Sequence, residues 1–286
     1  MFLLVSEGAS AQQVHPECIE NLDSSNIASL DATARRAALL GLVECLDNPD
    51  PAVRDRYAFT LLSEALRSGV VEKSTRMELI DAARAKLMEA DQDPQGFRGP
   101  FEALALSELV RSDRIDPFLT SEKRGELIEL VARYLAELSD YRGFDEHEGW
   151  RHGVAHSADF FMQMALNPAL TTEQASLIRD AIKAKIVPGG NHFYTFGEPG
   201  RLARPIMILA NRDMFPPEDW RQWIMELGPD GGADDWDAAY DSNKGLARIH
   251  NVTAFASAIV TGASRSEQPA LRSLSDNASE LLESLP

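Results

Sequence analysis

The chain has 286 residues, of which 44% are hydrophobic and 26% are charged, and its formal net charge is −17. These proportions are ordinary for a globular protein, and the length allows one large domain or two smaller ones. The negative charge and the lack of any Lys/Arg-rich run argue against a nucleic-acid partner and against binding to an anionic membrane surface. The longest stretch without charge, residues 251–264, is too short to span a bilayer.

The amino-terminal residues leave two interpretations open. Residues 1–5 are apolar and Ala9-Ser10-Ala11 resembles a signal-peptidase site, but Glu7 is out of place in an export signal. Residues 1–11 are therefore either a frayed start of a cytoplasmic protein or the remnant of an export signal of a periplasmic one. Cys18 and Cys45 could pair in an oxidising compartment.

Helical spacing of apolar residues continues from Leu30 almost to the end of the chain, and no sheet is expected beyond a short ribbon. Helices are predicted after Asp50-Pro51, over 74–87, up to 110, over 121–138, 145–166 and 172–186, twice between 198 and 227, and over about 243–260. We divide the chain into an N-terminal extension (1–29), a helical-repeat domain (30–262) and a partly helical C-terminal tail (263–286).

The predicted helices repeat in pairs. The caps of the second helices, Ser74, Ser121 and Thr172, lie 47 and 51 residues apart, from 74 to 121 and from 121 to 172. This period is typical of paired-helix solenoids, and Asp50-Pro-Ala-Val-Arg54 resembles the turn of a HEAT repeat. The sequence therefore predicts an all-α, HEAT/armadillo-like superhelical array, with an irregular helical bundle as the alternative.

The most informative helix is the one predicted over 145–166, with Asp145 and Glu148 as its capping box. At about 100° per residue, His152, His156, Asp159 and Gln163 fall on one narrow face. That face lacks the Lys and Glu of a solvent-exposed helix, so it is predicted to line a pocket.

Three roles remain open for this polar face. His156 could act as a catalytic base that Asp159 orients, or bind a ligand without a metal. His152 and His156 are weak candidates for metal ligands, because the residue after the first His is Gly153 instead of Glu. A third ligand would have to be Glu198, His192 or His250. The remaining interpretation is a buried His–Asp–Gln network that fixes helix packing. No cofactor is predicted.

The starts of neighbouring first helices are expected to form an anion site, because helix N-termini present free N–H groups and Arg98, Arg201 and Arg204 add positive charge. Trp150 and the loop residues Phe193, Tyr194 and Phe196 are predicted to serve core and loop packing rather than to form a stacking platform. We expect Arg98, His152, His156, Asp159, Glu198 and Arg201 to share one surface cleft. The candidate ligand-binding residues are Arg98, Trp150, His152, Gln163, Glu198 and Arg201.

Several motifs also resemble an uncharacterised bacterial family known only as a domain of unknown function. They are Arg142-Gly-Phe144, Gly149-Trp150, His152, Ala155-His156, Ala158-Asp159, Phe196-Gly-Glu198, Arg201-Leu-Ala203, Arg98 with Phe101, and a late helix near Asn251. The resemblance extends from about Leu39 to Val260 and implies an all-helical fold without implying an activity. The chain departs from the family pattern at Pro199-Gly200, where an acidic pair is usual.

Two classes of function follow from these observations. The first is a helical-repeat protein whose concave pocket binds a peptide or a small anionic ligand. The alternative is a hydrolase that uses the oriented His156–Asp159 base, with or without a metal. Neither nucleic acid nor an integral membrane segment is expected.

Overall fold

The computed structural model describes residues 22–228 and 239–285. This part of the chain is all-α: it forms twelve α-helices and one two-residue antiparallel ribbon. No helix in the described ranges is long and apolar enough to cross a membrane. Cys18 and the predicted export-signal remnant, residues 1–11, lie outside the described residues.

The helices follow one another with short connections. They are α1 (Ser24–Ser29), α2 (Ala32–Glu44), α3 (Thr60–Ser68), α4 (Lys73–Met88), α5 (Arg98–Ile115), α6 (Ser121–Glu137), α7 (Gly153–Ala165), α8 (Thr172–Ile186), α9 (Glu198–Asn211), α10 (Pro217–Met225), α11 (Asn243–Ala263) and α12 (Pro269–Glu283). A π-helical segment, Ala52–Phe59, runs directly into α3, and a single 3₁₀ turn, Ala90–Gln92, follows α4.

Polar side chains cap the beginnings of five of the twelve described helices. The side chains of Asp31, Thr120 and Ser242 each accept a hydrogen bond from the backbone of the first turn. Thr171 and Gln174 form a reciprocal capping box at the start of α8. Thr and Ser are residue types that predict helix starts, and α8 occupies the predicted range. Ser74 is not a cap, contrary to the prediction, because α4 begins at Lys73 and has no side-chain cap.

Helices that are two apart in the chain lie side by side. Helix α5 packs against α7, α7 against α9, and α9 against α11, while α4 packs against α6 and α6 against α8. Helix α12, in the predicted C-terminal tail, packs against α10 and α11 and buries Leu274, Ala278 and Leu281.

The contact between α5 and α7 is close because two glycines face one ring. A Cβ atom on Gly99 would lie 2.6 Å from Tyr134, and one on Gly153 would lie 2.9 Å from the Tyr134 hydroxyl. Only residues without a side chain allow the tip of Tyr134 to enter between the starts of the two helices. The same arrangement brings the first turns of α5 and α7 together.

The predicted start of the histidine helix is wrong, because α7 begins at Gly153 and not at Asp145. Residues 144–150 form the ribbon instead, in which strand β1 (Phe144–Asp145) pairs with β2 (Gly149–Trp150). Asp145 accepts hydrogen bonds from the backbone N–H groups of His147 and Glu148, so its side chain closes the turn of the ribbon. An Asp side chain can cap a turn as well as a helix, and here Asp145 caps the turn of the ribbon.

Candidate functional site

A cavity of about 590 Å³ lies among the π-helical segment, α5, the ribbon, α7 and the start of α9, and we call it the histidine cavity. Its position follows from the close α5–α7 contact and from the ribbon, which supplies the wall in front of α7. The residues that line it are Asp55, Phe59, Phe101, Leu104, Trp150, His152, His156, Phe196, Gly197, Gly200, Arg201 and Arg204.

His156 occupies the first turn of α7 with its ring almost completely buried. Its Nδ1 atom lies 3.1 Å from the carbonyl oxygen of Pro100. A carbonyl oxygen only accepts hydrogen bonds, so Nδ1 carries the proton and Nε2 carries a lone pair. Burial, together with the neighbouring His152, lowers the pKa of His156 to about 3. The imidazole is therefore neutral at pH 7, and Nε2 has no protein partner among the described residues.

His152 precedes α7 in the left-handed backbone conformation, with φ of 65°. A positive φ is uncommon for residues other than glycine. In this conformation the ring centroids of His152 and His156 lie 5.8 Å apart. The ring centroid of Trp150 lies 4.7 Å from the ring centroid of His152. Burial, with a smaller effect of Arg201, lowers the pKa of His152 to about 4, so this ring is also neutral at pH 7.

The guanidinium groups of α9 form a cationic wall. Nη1 of Arg201 lies 2.6 Å and 2.5 Å from the two carboxylate oxygens of Asp159, which projects from α7. Burial raises the pKa of Asp159, and the ion pair with Arg201 opposes that rise. Arg204, one turn further along α9, is exposed and forms no hydrogen bond within the described ranges. Its positive charge is therefore free to meet a ligand.

Two aromatic rings form another part of the wall. Trp150 and Phe196 are 39% and 37% exposed, and their ring centroids lie 6.1 Å apart at nearly a right angle. Phe196 can occupy this place because residue 143 is glycine, where a Cβ atom would lie 2.1 Å from the ring. Phe144 continues the aromatic surface beside Trp150 but does not line the cavity.

The loop that carries Phe196 is anchored by two polar residues. Asn251 of α11 accepts from the backbone N–H of Tyr194 at 2.9 Å and donates to the carbonyl of His192 at 3.0 Å. The buried carboxylate of Glu198 accepts from the backbone N–H of Phe196 at 2.9 Å. These bonds hold the loop in one conformation, so the position of Phe196 is built into the fold.

The π-helical segment supplies another part of the cavity wall, with Asp55 and Phe59 among the lining residues. Nε of Arg54, which is completely buried, donates to Oδ1 of Asp55 at 2.8 Å. Oδ2 of Asp55 has no hydrogen-bond partner in the described part of the chain. Burial raises the pKa of Asp55, and Arg54 counteracts the rise.

Four of the predicted site residues line the histidine cavity: Trp150, His152, His156 and Arg201. Asp159 contributes indirectly, by holding Arg201. Asp159 is not the partner of His156, contrary to expectation, because α9 packs beside α7 and presents Arg201 to the carboxylate. The oriented His–Asp base is therefore not formed.

Three other predicted residues do not line this cavity. Arg98 pairs with Asp47 at 3.0 Å, because the first turn of α5 faces the end of α2. Glu198 accepts a hydrogen bond within its own loop. Gln163 lies two turns beyond His156 on α7, and its buried Oε1 atom has no hydrogen-bond partner among the described residues. The expectation that Arg98 and Glu198 share one cleft with His152, His156 and Arg201 is therefore too broad.

A metal centre has little support from the geometry. No group of three or more His, Cys, Asp or Glu side chains within residues 22–228 and 239–285 is arranged to hold a metal ion. His156 Nδ1 is occupied by Pro100, and the rings of His152 and His156 stand at 85° to each other. The two histidines are better described as neutral polar groups of a cavity wall.

A second cavity, of about 610 Å³, lies on the other side of Pro100. Its polar wall is acidic, with Asp91, Asp93, Glu137 and Asp140 against a single arginine, Arg133. Such a wall repels an anion, so the cavity does not compete for the predicted kind of ligand.

The fold and the cavity together define an all-helical domain with a polar, arginine-containing cavity between its central helices. The chain belongs to the family described as "protein of unknown function (DUF2785)", whose model matches residues 84–261. The resemblance to an uncharacterised domain family is thereby confirmed. No curated protein and no solved structure matches the chain. The matched range contains every cavity residue except Asp55 and Phe59, which come from the preceding segment.

Proposed function

We propose that the histidine cavity binds a small anionic ligand. The observation that carries the proposal is the pair of guanidinium groups, Arg201 and Arg204, on one wall of a cavity in a protein of net charge −17. A partly enclosed arginine pair favours carboxylate or phosphate, because charge-assisted hydrogen bonds gain strength away from bulk water. Within the described residues no carboxylate forms an ion pair with Arg204, and Asp159 interacts with it only at longer range.

The size of the cavity favours a small molecule over a peptide. About 590 Å³ lies within the range of small-molecule pockets, which are largely apolar with a few directed polar groups. Trp150, Phe196 and Phe101 supply the apolar surface, and the imidazoles supply directed polar atoms. A peptide would need an extended groove, and nothing in the lining residues supports one.

The state of His156 supports binding rather than hydrolysis. A general base works best when its pKa is near the working pH, and the pKa of this buried imidazole is about 3. Its Nδ1–H is held by a carbonyl oxygen and not by a carboxylate that would stabilise the protonated ring. His156 is therefore suited to accept a hydrogen bond from a ligand and poorly suited to remove a proton.

We also infer that α4 to α11 form a paired-helix array of the HEAT/armadillo kind. The inference is supported by the side-by-side packing of alternate helices, α5–α7–α9–α11 and α4–α6–α8. In such an array the histidine cavity lies at the starts of successive first helices, α7 and α9. This location suits an anion because helix N-termini carry partial positive charge.

Replacing Arg204 by Ala tests the anion site. We expect calorimetric titration with cyclohexanecarboxylate to give a Kd about tenfold weaker for R204A than for the parent, because one charge-assisted hydrogen bond is lost. The free energy of unfolding should stay within about 0.5 kcal/mol, since Arg204 is exposed and forms no hydrogen bond within the described residues.

The matched control is Arg133→Ala, which removes the same charge from an exposed position outside the histidine cavity. This variant should bind like the parent, and any general effect of net charge will appear in it as well. Equal Kd values for parent, R204A and R133A would contradict the proposed anion site.

A further inference from the structure

Some polar groups of the histidine cavity have no hydrogen-bond partner among the described residues. They include hydrogen-bond acceptors as well as a positively charged guanidinium group. Nε2 of His156 carries a lone pair because Nδ1 holds the proton. Oδ2 of Asp55 is an acceptor whose neighbour, Oδ1, is occupied by Arg54. A plain anion would satisfy the arginines but would leave both acceptors without a donor once it displaced water. The complementary ligand therefore carries hydroxyl or similar donor groups in addition to its charge.

The aromatic wall adds a requirement of shape. Trp150 and Phe196 present partly exposed rings to the cavity, and the faces of aromatic rings are electron-rich. The C–H groups on one side of a saturated, hydroxylated ring are electron-poor and pack well against such a face. A flexible chain gains less from this surface, because more of its freedom is lost on binding.

We propose that the ligand of the histidine cavity is an anionic sugar, meaning a pyranose that carries one carboxylate or one phosphate. The acidic group binds Arg201 and Arg204, ring hydroxyls donate to His156 Nε2 and Asp55 Oδ2, and the C–H face packs on Trp150 or Phe196. The proposal rests on the proposed anion site and specifies what the rest of the ligand contains.

An aromatic acid is the strongest competing ligand class. Its ring would also stack on Trp150 or Phe196, and its carboxylate would also bind the arginines. It brings no hydroxyl donors, so the carboxylate of Asp55 would face an apolar ring without a partner. Asp55 is the residue that favours the sugar over the aromatic acid. Its carboxylate needs a hydrogen-bond donor, and an anion whose remaining surface is apolar provides none.

The test compares ligands that differ by one feature each, using calorimetry on the purified full chain. The carboxylate set is glucuronate, galacturonate and mannuronate against cyclohexanecarboxylate and benzoate, which keep the ring and the charge but lack hydroxyls. The phosphate pair is glucose 6-phosphate against cyclohexyl phosphate. Glucose keeps the hydroxyls and lacks the charge. The two acid types distinguish a sugar carboxylate from a sugar phosphate.

We expect at least one hexuronate, or the sugar phosphate, to bind at least about tenfold tighter than its hydroxyl-free counterpart, because sites with directed hydrogen bonds reject analogues that lack the matching group. Glucose should give no measurable heat. Trp150→Ala should weaken the sugar acid, whereas Phe144→Ala, which removes an exposed ring of the same ribbon outside the cavity, should not.

The outcomes distinguish the anionic-sugar proposal from the anion-site proposal on which it rests. If cyclohexanecarboxylate or benzoate binds in an Arg204-dependent way and no sugar acid binds tighter, the anion site stands and the sugar is ruled out. If no acid of either set binds, the anion site itself fails. A sugar preference that W150A leaves unchanged would contradict the stacking of the ring on Trp150.

Discussion

Replacing Arg54 by Ala is expected to lower the free energy of unfolding by about 3–5 kcal/mol. The guanidinium is completely buried and donates to Asp55, to the carbonyls of Asn48 and Pro49, and to the carbonyl of Glu148 at 2.7 Å. It also lies 3.9 Å above the Phe97 ring. Truncation would leave a void and several acceptors without donors.

Urea unfolding followed by circular dichroism measures this change. Arg56→Ala is the matched control, because Arg56 is two residues away in the same π-helical segment but is exposed, and it should change stability by no more than about 0.5 kcal/mol. The Glu148 carbonyl belongs to the ribbon, so R54A should also loosen the cavity wall and weaken binding. Similar unfolding energies for R54A and R56A would contradict the role assigned to Arg54.

Replacing Glu102 by Met is expected to stabilise the protein by about 1–3 kcal/mol at pH 7. Glu102 is completely buried on α5, and neither carboxyl oxygen has a hydrogen-bond partner within the described residues. Burial raises its pKa well above the usual range; Lys86 and Arg98 oppose the rise, and Asp47 and Glu44 add to it. A methionine of similar size removes the unpaired polar group without leaving a void.

The sign of the pH dependence follows from the raised pKa of Glu102. In the unfolded chain a Glu side chain ionises near pH 4.3, whereas the folded protein keeps the proton to higher pH. Below the unfolded pKa the carboxyl is protonated in both the folded and the unfolded protein, and the contribution of Glu102 to stability is present in full. It is lost as pH rises toward the folded pKa, by at most about 1.4 kcal/mol per pH unit.

The advantage of E102M over the parent should therefore be smallest near pH 4 and grow toward pH 7, as measured by urea unfolding at several pH values. Glu129→Met is the control, because Glu129 is exposed on α6 and should show no such trend. An advantage of E102M that does not change with pH would mean that Glu102 ionises alike in the folded and unfolded states.

The helices could be predicted because their start signals are local. Thr171 and Gln174, or Thr120 before α6, act within one turn of the backbone, so the sequence around them determines the cap. Asp145 is the exception, because the same side chain can close a turn. Distant contacts stabilise the ribbon at this point instead of a helix. One of them is the hydrogen bond from Arg54 to the carbonyl of Glu148, 94 positions away in the chain.

The candidate site was only partly predictable, for a similar reason. His152, His156, Trp150 and Arg201 were identified by residue type and position, and all four line the histidine cavity. The partner of Asp159 depended on which helix lies beside α7, which spacing along one helix does not reveal. Phe196 was assigned to packing, since its place in the wall depends on Gly143 and on the anchoring of its loop by Asn251.

The most direct test of the central claim is a crystal structure of the protein with saturating cyclohexanecarboxylate, accompanied by crystals of R204A treated in the same way. We predict a ligand in the histidine cavity of the parent, with its carboxylate within hydrogen-bonding distance of Arg201 and Arg204 and its ring against Trp150 or Phe196, and weaker occupancy in R204A. A parent cavity without ligand at saturation, or a carboxylate that contacts neither arginine, would contradict the claim.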